Sequence, residues 1–207
     1  MRLLDGLKLK GRPAEIPDCS RDNLPQFFVE MGFKVGAEIG VYKGEFTEKF
    51  CKAGLAMYGI DPWLAYGGGK GSPKMQSVSD SNYLTAKNRL KIYTKCTIIR
   101  KASMEAVNDF PDDSLDFVYI DGDHELKFVT EDIREWAKKV KPGGIIAGHD
   151  YVKFRPRTFM GGVCDVIEAV NTYTQANQIK RWYVLGRKET LSGEKRDKWR
   201  SWMFIKL

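Results

Sequence analysis

The stretch "LDFVYIDGDHELKFVTEDIREWAKKVKPGGIIAGHDY" (115–151) decides the fold. It opens on an apolar run, Phe117 to Ile120, that leads straight into Asp121, Gly122, Asp123 and His124. "ELKFVTEDIREWAKKV" (125–140) then repeats apolar residues at the spacing of an amphipathic helix, and "KPGG" stops it. "GGIIAGHD" (143–150) is a second apolar run, ending in His149 and Asp150. Strand, helix and strand in this order make a βαβ unit and a parallel pair. Both strands end in ionisable residues, which raises three readings: polar strand ends, a metal site, or acid–base groups.

The same alternation extends upstream. "FKVGAEIGV" (33–41), "AMYGID" (56–61) and "CTIIRK" (96–101) read as strands. "GEFTEKFCKAG" (44–54) and "SDSNYLTAKNRLKIY" (79–93) read as helices between them, and "VCDVIEAVNTYTQAN" (163–177) as a helix after the fifth strand. "IKRWYVLG" and "KWRSWMFIKL" close the chain as two strands with no helix between, so they pair as an antiparallel hairpin. The expectation is an α/β, Rossmann-like, doubly wound sheet of seven strands, mostly parallel, with an antiparallel edge. One domain spans 1–207, residues 1–32 forming a helical extension over an edge or the site. "AYGGGKGSPKMQSVS" (65–79) and "YVKFRPRTFMGG" (151–162) read as mobile loops forming a lid, with Arg155 and Arg157 positioned for an anionic acceptor.

Composition limits the function classes. A hydrophobic content of 43% is enough for a full core in 207 residues. No run of 18 apolar residues occurs, and "MRLLDGLKLKGRPAEIPD" lacks an apolar signal region, so a cytoplasmic chain is expected. Cys19, Cys51, Cys96 and Cys164 form no C-x-x-C pair, which disfavours structural zinc and a disulfide framework. The formal net charge is +7, concentrated in 84–101 and 180–207. Basic surface of this kind attracts phosphates or nucleic acid, but no RNA-binding signature accompanies it, and a solvated helix face and charged hairpin account for it equally.

The first strand runs into "EIGVYKGEF", which places Glu38, Gly40 and Gly44 at a strand-to-helix turn. Glycines there let the backbone turn sharply and approach a ligand. Twenty-one residues after Gly40 the next strand ends in Asp61, a spacing that suits a carboxylate gripping ribose hydroxyls. The dinucleotide pattern G-x-G-x-x-G is absent. Glu38 instead suits a cationic ligand such as S-adenosylmethionine, with its ammonium and sulfonium.

"VGAEIGVYKGEFTEKF", "YGIDPW", "RKASMEAV" and the 115–151 stretch together resemble class I S-adenosylmethionine-dependent methyltransferases over about residues 33–151. More narrowly they are similar to small-molecule and sugar O-methyltransferases with an I-D-G-D-H motif, relatives of the macrocin and catechol O-methyltransferase groups. One departure is Tyr42, where many such enzymes carry glycine. The resemblance implies that Glu38, Gly40 and Gly44 hold the methionine part and Asp61 the ribose. Trp63 would lie on the adenine face, and Ala102, Ser103 and Met104 along its edge. The alternative for Trp63 is a core tryptophan.

Asp121, Asp123, His124, His149 and Asp150 then face the transferred methyl. Two mechanisms remain open. In the first, Asp121, His149 and Asp150, at the positions of the metal-dependent relatives' ligands, hold Mg²⁺, with Asp123 as base. An imidazole at 149 shifts that preference toward Mn²⁺ or Fe²⁺. In the second, His149 or His124 is the general base, oriented by Asp121 or Asp150. The third alternative is structural: Asp123 caps the helix that follows. The acceptor implied is a small molecule, a sugar or polyol. The rivals are an RNA or protein methyltransferase, an inactive S-adenosylmethionine-binding module, and a nicotinamide-dependent oxidoreductase.

Overall fold

The computed structural model describes residues 2–65, 72–154 and 163–207. Residues 66–71 of the first expected lid loop and 155–162 of the second, with Arg155 and Arg157, lie outside the described residues. The strands are β1 (Ala14–Ile16), β2 (Val35–Ile39), β3 (Ala56–Ile60), β4 (Cys96–Ile99), β5 (Leu115–Ile120), β6 (Val140–Gly148), β7 (Trp182–Leu185) and β8 (Trp202–Ile205). They form one sheet in the order β1-β7-β8-β6-β5-β2-β3-β4. Every pairing is parallel except those of β8, which runs antiparallel to both β6 and β7.

Helices cover both faces: α1 (Leu3–Gly6), α2 (Leu24–Glu30), α3 (Glu45–Lys52), α4 (Pro73–Leu90), α5 (Ser103–Ala106), α6 (Leu126–Lys139) and α7 (Val166–Ala176). The reason is visible in β5. Val118 and Ile120 point into one apolar cluster with Ile133 and Trp136 of α6 and Val170 of α7. Phe117 and Tyr119 point into the other, with Phe28 of α2 and Phe50 of α3. A strand buried on both faces reads as a continuous apolar run. On α6 the buried positions Val129, Ile133, Trp136 and Ala137 lie on one helical face.

Four boundaries differ from expectation. The sheet has eight strands, because "AEI" at 14–16 adds a parallel edge beside β7; three residues are too few to show a period. The antiparallel strand is therefore interior, and the hairpin of β7 and β8 is not the edge. Residues 73–79 are helix rather than loop: Ser72 caps α4 by accepting from the Met75 N–H, and Pro73 occupies the first turn. β6 begins at Val140, opposite Leu115, and a register shift absorbs the "KPGG" segment. Among the described residues no helix is long and apolar enough to cross a membrane. All four cysteines are free thiols.

Candidate active site

Ile39 of β2 lies beside both Ile60 of β3 and Ile120 of β5, and Ile120 lies beside Gly148 of β6. Gly40, Asp61, Asp121 and His149 therefore leave the sheet at one level, at the carboxyl ends where open α/β sheets bind ligands. Gly40 has φ +90°, and a Cβ there would stand 2.2 Å from the Asp121 carbonyl oxygen. Only glycine lets β2 and β5 end so close together. Gly44 caps α3 in the left-handed conformation.

Asp61 anchors the turn after β2. Its two oxygens accept from the Tyr42 N–H at 2.9 Å and the Trp63 N–H at 2.7 Å. Burial raises the Asp61 pKa against the pull of these bonds. A cavity of about 290 Å³ opens beside it, lined by Tyr42, Asp61, Trp63, Leu64, Met75 and Val78 among others. Tyr42 is 59% exposed, whereas Trp63 is 2% exposed. The Trp63 indole donates to the Tyr42 carbonyl at 2.7 Å and meets Tyr83 edge-on. These are contacts that a core tryptophan makes.

Glu38 is buried, its carboxyl bonded by the Thr47 hydroxyl. Burial pushes its pKa well above the usual range, opposed by the Thr47 bond. Ala102 precedes α5, and Met104 packs against the core. The Ser103 hydroxyl donates to Asp132 and accepts from the Trp136 indole at 2.8 Å. Asp132 is 5% exposed, and burial, opposed by the Ser103 bond, pushes its pKa up to about 7. Sequence reasoning missed Asp132, although a carboxylate on the apolar face of α6 was a signal.

The other half of the site is a compact ionic cluster. His124 Nε2 stands 2.7 Å from Asp150 Oδ2, and His149 Nδ1 stands 2.8 Å from Asp150 Oδ1. Both imidazoles are also 3.8 Å from Asp121 Oδ1. Asp121 Oδ2 accepts from Arg21 Nη1 at 3.1 Å. Burial disfavours charge on His124, but Asp121 and Asp150 outweigh it and push its pKa up to about 10. Burial likewise works against Asp150, and its two imidazole neighbours hold it well below the usual carboxylate range. The Asp123 carboxylate accepts from the Glu125 N–H at 2.9 Å, just before α6.

Arg21 was also missed, because nothing in the spacing links position 21 to position 121. It sits in a single 3-10 turn, Arg21–Asn23, before α2.

The donor set suits a divalent cation. Among the described residues, Asp121, His124 and Asp150 offer ligand atoms all within 4.8 Å of one another. This grouping has His124 where the sequence expectation had His149, since His124 Nε2 reaches Asp150 Oδ2 at 2.7 Å. His124 Nε2, His149 Nε2 and Asp150 Oδ1 are buried without an aligned hydrogen bond, despite the short approaches to Asp150. Buried polar atoms in that state call for a partner.

The family description "Methyltransferase domain" matches residues 37–151. The chain belongs to this methyltransferase family. The match spans Glu38 through Asp150 and leaves out Arg21. This methyltransferase is 34% identical over 53 residues to an uncharacterized protein of Sinorhizobium fredii; the match covers 26% of the chain and 6% of that protein. The chain thus spans a small part of the length of the curated relative it matches.

Two solved structures share the class I, Rossmann-like methyltransferase fold. An O-methyltransferase from Bacillus cereus in complex with SAH is 16% identical with a TM-score of 0.57, covering 90% of this chain and 80% of the other. An rRNA methylase from Streptococcus thermophilus is 12% identical with a TM-score of 0.59, covering 89% of this chain and 94% of the other. At these identities the likeness concerns the fold alone.

Proposed function

We propose that this methyltransferase moves the methyl group of S-adenosylmethionine to an oxygen of a small molecule, a sugar or polyol, with a divalent cation assisting. The observation that carries the reading is the meeting of Asp121, His124 and Asp150 beside the Gly40 turn. The B. cereus O-methyltransferase, which shares the fold, supports oxygen as the acceptor atom. Asp61 would hold the ribose, and the cavity beside Tyr42 the nucleoside. Gly40 and the start of α3 would face the methionine part. We read the chain as one domain in which residues 1–32 add the edge strand β1 and bring Arg21 to the site.

Methyl transfer is an in-line displacement, and the sulfonium is already a good leaving group. The protein must align the acceptor oxygen and take its proton. Asp121, His124 and Asp150 would hold the cation; two carboxylates and an imidazole suit Mn²⁺ or Fe²⁺ as well as Mg²⁺. When bound, the cation lowers the pKa of a hydroxyl beside it. His149 has Nδ1 against Asp150 and Nε2 without a partner, which makes Nε2 the atom placed to accept the proton. His124, whose pKa Asp121 and Asp150 push up to about 10, would serve as ligand rather than base.

The test is transfer of labelled methyl from S-adenosylmethionine to a panel of sugars, polyols and catechols, with and without EDTA. Transfer that EDTA abolishes supports the reading. Transfer that EDTA leaves intact removes the cation and returns the chemistry to the His149–Asp150 pair. Labelling of RNA in place of the panel would move the acceptor to the reading that the basic segments favour.

A further inference from the structure

Arg21 lies outside residues 37–151, the span that matches the family, yet its guanidinium reaches the central carboxylate of the site. The two oxygens of Asp121 are divided between different neighbours. Oδ2 accepts from Arg21 Nη1 at 3.1 Å, and Oδ1 faces His124 Nε2 and His149 Nδ1, each at 3.8 Å.

The segment that carries Arg21 is itself pinned. The Arg21 main-chain N–H donates to Asp197 Oδ2 at 2.7 Å, across from the segment between β7 and β8. Lys49 of α3 reaches Asp22 at 2.6 Å, and the Arg21 guanidinium lies over the Phe46 ring at 5.1 Å. Ser20 and Asn23 lock the turn with reciprocal side-chain bonds.

We propose that Arg21 is a positioning residue for Asp121: it holds Oδ2, so that Oδ1 alone is presented to the two imidazoles, His124 and His149, and the N-terminal segment thereby completes the cation site. The inference rests on the proposed cation. The side chains of Arg21 and Asp121 are 33% and 20% exposed, so water shields their bond only in part. The positive charge of Arg21 is already met by Asp121 and has Asp197 nearby, which limits its repulsion of a cation. Partners that orient a metal-ligating group typically change metal affinity by about 10- to 100-fold when removed.

The experiment is titration of the metal-free protein with Mn²⁺, read by electron paramagnetic resonance, in parallel with calorimetric titration by S-adenosylhomocysteine. Arg21→Gln should bind Mn²⁺ about 10- to 100-fold more weakly while keeping its S-adenosylhomocysteine affinity. Arg21→Lys keeps the charge without the planar fork and should recover part of the loss; it also serves if Arg21→Gln does not fold. Unchanged or tighter Mn²⁺ binding by Arg21→Gln, or by Arg21→Lys in its place, overturns the positioning role and leaves the cation site standing. Absence of Mn²⁺ binding by the wild-type protein overturns the cation itself, and this inference with it.

Discussion

His124 and Asp150, from two different strand-to-helix connections, meet with Nε2 2.7 Å from Oδ2. The contact joins the ends of β5 and β6, and it ties the protonation of the site to its ligand chemistry. A cation held by His124 must displace a proton that Asp121 and Asp150 favour there by raising the His124 pKa to about 10. Metal binding should therefore release a proton, and affinity should rise by about tenfold per pH unit between pH 6 and 9. Isothermal titration with Mn²⁺ in buffers of different ionisation enthalpy measures the proton directly.

The same pair shapes the stability of the metal-free protein. The folded pKa of His124 is raised, so its contribution is fully present below its unfolded pKa near 6.5 and is lost as pH rises through about 10. The folded pKa of Asp150 is depressed, so its contribution is present above its unfolded pKa near 3.8 and is lost as pH falls through the lower folded value. Thermal unfolding should show a plateau between these limits. His124→Gln should flatten the alkaline limb; an unaltered limb would mean that another group titrates there.

Asp61→Ala should weaken S-adenosylhomocysteine binding by about 10- to 100-fold, the range for losing charge-assisted bonds of about 1.5–3 kcal/mol. Part of that loss would come from the Tyr42 and Trp63 N–H groups, which Asp61 also holds. Calorimetry should further show no NAD binding by the wild-type protein. Strong NAD binding would point to an oxidoreductase instead.

Asp121→Asn and Asp150→Asn should each lower turnover by about 10²- to 10⁴-fold while sparing cofactor affinity. Asp123→Asn should cost far less, because its carboxylate is engaged at the helix start and an amide oxygen can still accept from the Glu125 N–H. Steady-state rates on the acceptor found in the panel decide this. Equal losses at 121 and 123 would return Asp123 to the role of base.

Gly40→Ala should destabilise the fold and abolish cofactor binding together. The residue has φ +90°, and its Cβ would press 2.2 Å from the Asp121 carbonyl oxygen. Strained positions of this kind cost about 1–3 kcal/mol before any clash is counted. Chemical denaturation measures the first effect and calorimetry the second.

The sheet was legible because its central strands are apolar on both faces, as Phe117 to Ile120 show. "AEI" at 14–16 was not, since a three-residue edge strand carries no period. At the site, Gly40, Asp61, Asp121 and Asp150 were legible from their places at strand ends. The pairing of His124 with Asp150 was not, because it joins the connections after two different strands, 26 residues apart in the chain. Arg21 reaches Asp121 across 100 residues of chain, a contact that no local pattern encodes.

The most direct test of the cation site is a crystal of the protein grown with S-adenosylhomocysteine, soaked in Mn²⁺ and measured for anomalous scattering. The prediction is one strong peak bounded by Asp121, His124 and Asp150, with the ribose on Asp61. A ribose on Asp61 and no peak, with His124 still on Asp150, would contradict a metal-assisted mechanism.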